Sequence, residues 1–255
     1  MTGAYAPAPG AAPVHRMVLA QAGLEIRMIL RNGEQLLLTL VIPLLVLGVF
    51  AGVEVLDLGG REERLGFVAP GVLALAVIST AFTGQAIATG FERRYGALKL
   101  LGASPLSRSG LLAAKTLAVL AVEALQVVLV GGLALALGWR PAGSPLAAAV
   151  LLLAGTAAFS ALGLLMAGTL RAEATLAGAN LVYLLLLVGG GIAVPLDRFP
   201  DGLGRVLELL PAAALAEGLR DVLDEASGLP LGPLAVLTAW AVGAAVAAAA
   251  TFRWE

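Results

Sequence analysis

The chain has 255 residues, of which 60% are hydrophobic and only 13% charged, about half the charge fraction of a soluble domain. A net charge of −1 gives no global basic field for nucleic acid. With no cysteine, and with His15 as the only histidine, a single chain cannot build a thiolate or histidine metal centre, an intramembrane Ser–His dyad or an HExxH zinc site.

The few charges are clustered, and the runs between them are long enough to cross a hydrocarbon core roughly 30 Å thick. The expected class is an all-α polytopic membrane protein, because an open strand in lipid would leave its backbone unsatisfied and the alternation of a barrel is missing. Residues 1–13, rich in Ala and Pro, are expected to form a disordered tail. They lack the basic segment and adjoining apolar core of a cleaved signal peptide, so the first apolar run is expected to persist as a span.

Residues 14–31 follow as an expected interfacial helix. Arg16, Arg27 and Arg31 fall within one arc at 100° per residue and Met17, Leu24 and Met28 on a neighbouring face, a pattern that suits a helix whose cations meet lipid phosphates. An ordinary solvated basic stripe is the plainer alternative. Six uncharged apolar runs then read as spans: 36–53, 67–90, 116–138, 145–170, 174–196 and 229–252, the third interrupted by Glu123 alone. All of 14–255 is read as one transmembrane domain.

Six spans place both termini on one side. If that side is the cytoplasm, ten of the sixteen Lys and Arg residues lie inside and six outside, in the sense of the positive-inside rule. Half of the inner count comes from one short island between spans two and three. There Arg93, Arg94, Lys99, Arg108 and Lys115 accompany a single anion, Glu92. From Glu92 to Leu101 the island reads as a short helix closed by Gly102 and Pro105. A charged helix held at the membrane surface is suited to touching a cytoplasmic partner.

Between spans five and six, residues 197–227 show two apolar stripes at helical spacing. Leu203, Val206, Leu207 and Leu210 form the first; after Pro211, Leu215, Leu219, Val222 and Leu223 form the second, with Glu217, Arg220, Asp221 and Asp224 opposite. Each is too short to span. The expectation is a pair of amphipathic helices dipping into the outer leaflet, a structured outer loop being the alternative. Pro195 and Pro200 are expected to break span five at its exit. Gly189-Gly190-Gly191 is expected to lie within that span and permit close helix packing.

Within the spans, Glu123 is the sharpest polar position. A carboxylate there costs on the order of 2.5–3.5 kcal/mol on insertion scales, so it must face protein or a wet cavity, or be protonated. A pathway or subunit-interface role and a structural hydrogen bond both fit, and Gln126, one turn on, shares its face. Thr83 and Gln85 in span two, and Asn180 and Tyr183 in span five, are weaker candidates, residues that more often serve as interhelical hydrogen bonds than as substrate contacts.

The order of these elements, with the motif Glu92-Arg93-Arg94-x-Gly96-x-Leu98-Lys99-Leu100-Leu101-x-x-Ser104-Pro105-Leu106, resembles the permease subunits of type-2 ATP-binding-cassette exporters. That group includes daunorubicin-type multidrug exporters and polysaccharide or lipid exporters. The resemblance covers nearly everything after residue 13. It implies a multi-pass subunit of a bacterial-type inner membrane that binds no cofactor itself, with ATP and Mg held by a separate ATPase subunit. The absence of a G-x-x-x-x-G-K-[S/T] phosphate cradle agrees. It implies further that Glu92, Arg93, Arg94 and Lys99 dock that ATPase and that two permease subunits, identical or different, frame the pathway. An anchoring or regulatory subunit without transport is the alternative function. A secondary transporter would need more intramembrane ionisable groups than Glu123, and no constellation in the spans supports an enzyme.

Overall fold

The computed structural model describes residues 12–52, 60–102, 104–224 and 228–251, all in helices or short connections. The expected tail falls almost entirely outside them, as do Val53, Glu225 and Phe252 at the ends of expected elements. Helix α1 occupies Val14–Arg31. Helix α2 runs over 33–52, its second turn widened into a π-helical segment at Leu37–Val41. Helix α3 is Arg61–Arg94, with a second π segment at Ile78–Gly84. A short α4, Ala97–Gly102, leads to α5, Arg108–Leu137. Then come α6, Pro145–Thr169, and α7, Ala172–Gly189. A 3-10 turn at Leu196–Arg198 precedes α8, Asp201–Leu207, α9, Pro211–Leu223, and α10, Leu231–Thr251.

Five described helices, α3, α5, α6, α7 and α10, are long and apolar enough to cross a membrane. The first apolar run is helical, but only its shorter stretch Thr39–Gly52 is apolar in the same sense. Helix α3 is the central pillar: 94% of its apolar window is buried, against 17% for α10. It packs on α2, α5, α6 and α9, and its lower half on α7. Gly163 lets α6 approach it closely, because a Cβ there would stand 2.9 Å from the Phe82 carbonyl oxygen.

Several boundaries differ from those expected. Span two does not stop at Gly90 but continues to Arg94. The loss of apolarity marks where lipid ends, and the helix runs on without a stop from Gly90 to Arg94. The break comes at Gly96, whose φ of 74° is natural only to glycine. The expected helix from Glu92 to Leu101 is therefore two pieces: Glu92, Arg93 and Arg94 end α3, and α4 restarts at Ala97. Span three begins at Arg108, because Ser107 accepts a hydrogen bond from the Gly110 N–H at 3.1 Å and so caps the helix well before the apolar run. Span five ends at Gly189 rather than at the prolines, since Gly191 adopts φ 68° and the chain turns inward to bury Ile192.

The pair after span five divides in character. In α8, Leu203 and Val206 are exposed, whereas α9 is buried almost all round. Helix α9 packs against α3, α6 and α10, re-entering the bundle instead of lying in the leaflet. Its predicted apolar stripe does face the core, but Arg220, expected on the polar side, is buried as well. A narrow stripe shows which face meets the first neighbour; it does not show that three helices will surround the segment.

Candidate functional site

Among the described residues, three polar junctions hold the bundle, at the basic end, midway along it and at the opposite end. At the basic end, Lys115 of α5 is 6% exposed and lies between two carboxylates from different helices. Its ammonium is 3.1 Å from Glu25 Oε1 on α1 and 2.8 Å from Glu92 Oε1 at the end of α3. Gln21 donates to the same Glu25 oxygen at 3.0 Å. Glu92 therefore faces inward. Arg93 donates from both terminal nitrogens to backbone carbonyls that α6 leaves open at its C-terminus, to Gly168 at 2.7 Å and to Leu170. Arg94 pairs with Glu173 at the start of α7.

Of the four residues proposed for docking, Lys99 stands clear of these contacts and is exposed on α4. Beside it, Tyr95 and Leu100 are 74% and 76% exposed. Both escaped the sequence reading, although an aromatic and a leucine interleaved with cations at a membrane edge are a partner-binding composition. Arg93, Arg94, Lys99 and Arg171 line a groove of about 610 Å³ beneath this elbow, with Glu173 as its one acid.

Midway along the bundle, Gln126 of α5 is 1% exposed and joins both π segments. Its amide oxygen accepts from the Thr80 hydroxyl at 3.0 Å, and its amide nitrogen donates to the Thr39 carbonyl at 2.5 Å. A widened turn displaces carbonyls from the helical ladder, and Gln126 supplies the donor that lipid cannot. Glu123 faces α6, where its Oε2 lies 2.6 Å from the Thr156 hydroxyl, while its other oxygen is buried without a hydrogen-bond partner among the described residues. Gln85 is buried on α3 and Tyr183 is half-buried on α7.

A cavity of about 450 Å³ lies among the start of α2, the π segment of α3 and α7. Thr83 and Asn180, two of the weaker sequence candidates, meet there with Asn32, Thr39 and Ser79 against Ile87, Phe91 and Leu176. Among the described residues, no charged side chain lines it. Thr83 is 7% exposed and its hydroxyl has no hydrogen-bond partner among the described residues. Glu123, Gln126, Gln85 and Tyr183 do not line this cavity.

At the opposite end, Arg220 anchors α9. Its guanidinium donates to the Phe67 carbonyl at 3.1 Å, to the Gly191 carbonyl at 2.7 Å and to Glu217 at 2.6 Å. It also stacks over the Phe67 ring, 3.7 Å from the centroid. Burial pushes the Glu217 carboxyl up from its ordinary value, and the charge and hydrogen bond of Arg220 act against that rise.

A family model described as ABC-2 type transporter matches residues 20–223, from the middle of α1 to the end of α9. The chain belongs to the ABC-2 type transporter family. Comparison with curated protein sequences finds no match. As an ABC-2 membrane domain it is a multi-pass permease of ABC-type transport, a transport subunit whose family implies an ATPase subunit as partner. The match ends at Leu223, so the re-entrant α9 with its Arg220 anchor lies inside the family domain and α10 lies beyond it.

The basic junction generates a stability prediction. Lys115→Met leaves Glu25 and Glu92 buried and unpaired, and is expected to destabilise the protein by about 3–5 kcal/mol. Adding Glu25→Gln and Glu92→Gln to Lys115→Met should recover most of that loss. Denaturant unfolding in micelles reads both, and equal stability of Lys115→Met and parent would show that the cluster is not a structural junction.

Proposed function

We propose that this permease is an exporter subunit that moves an amphipathic, drug-like or lipid-like molecule outward, driven by a separate ATPase seated on the Tyr95–Leu100 elbow. The observation that carries this reading is the placement of the elbow. Tyr95, Lys99 and Leu100 are exposed at a point where α3 ends and α5 is about to begin, and the Glu25–Lys115–Glu92 cluster binds both helices just behind it. Force applied at the elbow therefore meets a braced base rather than a slack loop. The arginines proposed with Lys99 contribute mainly from behind: Arg93 braces α6, and Arg94 braces α7 while helping to line the basic groove. The groove gives an acidic segment of the ATPase a complementary surface.

In this reading the uncharged cavity of α2, α3 and α7 receives the substrate. Its mixture of amide, hydroxyl and apolar groups suits an amphipathic molecule better than an ion. In this reading a second permease subunit completes the pathway. The basic end is cytoplasmic, as are both termini, and α2 completes six crossings.

Three outcomes follow. Lys99→Glu combined with Leu100→Asp should lower affinity for the co-purified ATPase by about tenfold or more, since exposed anchors at an interface centre are worth upwards of about 2 kcal/mol each. Arg61→Glu, at the opposite end, should leave it unchanged. Equal loss from both variants would remove the elbow as the docking surface. Because the chain has no cysteine, Leu100→Cys and Gly202→Cys can be labelled without background. In intact cells an impermeant thiol reagent should reach Gly202→Cys and miss Leu100→Cys; the reverse pattern would invert the topology. Thr83→Val and Asn180→Leu should each shift the substrate concentration for half-maximal ATPase stimulation by about two- to tenfold. Unaltered stimulation curves would place the substrate elsewhere.

A further inference from the structure

A second cavity, of about 750 Å³, lies at the Arg220 end among the 3-10 turn, the residues just after α8, α9 and the start of α10. Its charges are of both signs. Glu217 and Arg220 are committed to each other at 2.6 Å, which leaves Asp197 and Arg198 on the turn and Glu208 after α8. The side chains of Arg198 and Glu208 have no ion-pair partner among the described residues.

One face of α10 leads away from this cavity. Gly232 and Val236 line the cavity, and Trp240, Gly243 and Ala247 continue the same face at steps of three or four residues. They form, with Leu162 and Leu165 of α6, an open groove of about 360 Å³ with no charged lining residue among the described residues. Cavity and groove meet at one bond, where the Trp240 indole donates to the Leu209 carbonyl at 2.8 Å. Leu209 lines the cavity and Trp240 the groove. The helical rise from Val236 to Ala247 is about 16 Å, close to the roughly 15 Å of one leaflet's hydrocarbon.

We propose that cavity and groove together form a binding site for a bilayer phospholipid whose zwitterionic headgroup carries a primary amine. Arg198 takes the phosphate, Asp197 and Glu208 take the ammonium, and one acyl chain lies between α6 and α10 below the Trp240 indole. The pattern of charge selects this class. An anionic lipid would bring unbalanced charge toward two carboxylates, and a cationic amphiphile without phosphate would leave Arg198 unmatched. A quaternary ammonium has no N–H to donate to either acid. The groove is open, so an acyl chain can enter it sideways without opening the bundle. Bound there, the lipid would connect α10 to α8 and α9, which α10 otherwise meets through the Trp240 bond and the α9 contact. The site shares no lining residue with the uncharged cavity of α2, α3 and α7, so it stands or falls apart from the transport reading.

The test is native mass spectrometry of the full-length protein, delipidated in detergent and titrated separately with phosphatidylethanolamine, phosphatidylglycerol and phosphatidylcholine. Phosphatidylethanolamine should be retained about tenfold better than the other two. Arg198→Gln and Glu208→Gln, both exposed and expected to fold, should each reduce its retention by about tenfold. Gly243→Leu fills the groove at a position where an added Cβ meets nothing within 4 Å, and should remove the retained lipid. Gly132→Leu, an equally open glycine on α5, should retain it like the parent. Equal retention of the three lipids by the parent, or undiminished phosphatidylethanolamine on Gly243→Leu or on both headgroup variants, would overturn the site in favour of unselective annular binding.

Discussion

A hydrocarbon solvent offers no hydrogen bonds, so every polar group carried into it must be answered from within the protein. Gln126 meets that demand at the crossing of three helices. Two neighbouring π segments, one in α2 and one in α3, widen the backbone at the same level, and a single amide from α5 serves both. Replacing such a group by an apolar one would remove the donor that α5 offers the buried Thr39 carbonyl. The crossing thereby fixes how the first three long elements stand against one another, and the cavity lined by Thr39, Ser79 and Thr83 is a product of that geometry.

The same rule shapes the two ends, where charges replace amides. Lys115 fixes α1 and α3 to α5, and Arg220 fixes α9 to α3 and to the turn after α7. Buried pairs of this kind add little net stability over a well-packed apolar alternative, but breaking one is costly. Their effect is positional. Arg220 selects one depth and rotation for a helix too short to span, because its donors must meet two particular carbonyls and one carboxylate together. Arg93 does the equivalent for α6 by occupying carbonyls at that helix's C-terminus.

This arrangement separates bracing from exposure within a single charged segment. The side chains of Glu92 and Arg93 turn inward, whereas Tyr95, Lys99 and Leu100 are presented outward by the turn at Gly96. A left-handed glycine at that point turns the chain within two residues, so α4 follows α3 without a long linker. Structural and surface-presenting residues thus alternate over fewer than ten positions, and a motif of this length constrains both at once.

Length, hydropathy and charge clustering were sufficient to determine an all-α membrane protein, the approximate position of each long helix and the special nature of the segment around Glu92, because those properties follow from solvent transfer and local backbone preference. Thr83 and Asn180 were also legible as polar positions in apolar runs. What the sequence did not disclose was which polar groups meet. Glu25 and Lys115 are ninety positions apart, Arg220 and Phe67 more than one hundred and fifty, and no local pattern relates them. Exposure on a helical wheel also misplaced Arg220, since a wheel records one helix's own faces and not the number of neighbours around it. The tertiary structure alone decided that α9 is a core helix, that the prolines after span five follow a break already made by glycine, and that Gln126 rather than Glu123 joins the first three long elements. Each of those outcomes depends on contacts between distant segments, for which a partner's position must be known before the energy of the contact has any meaning.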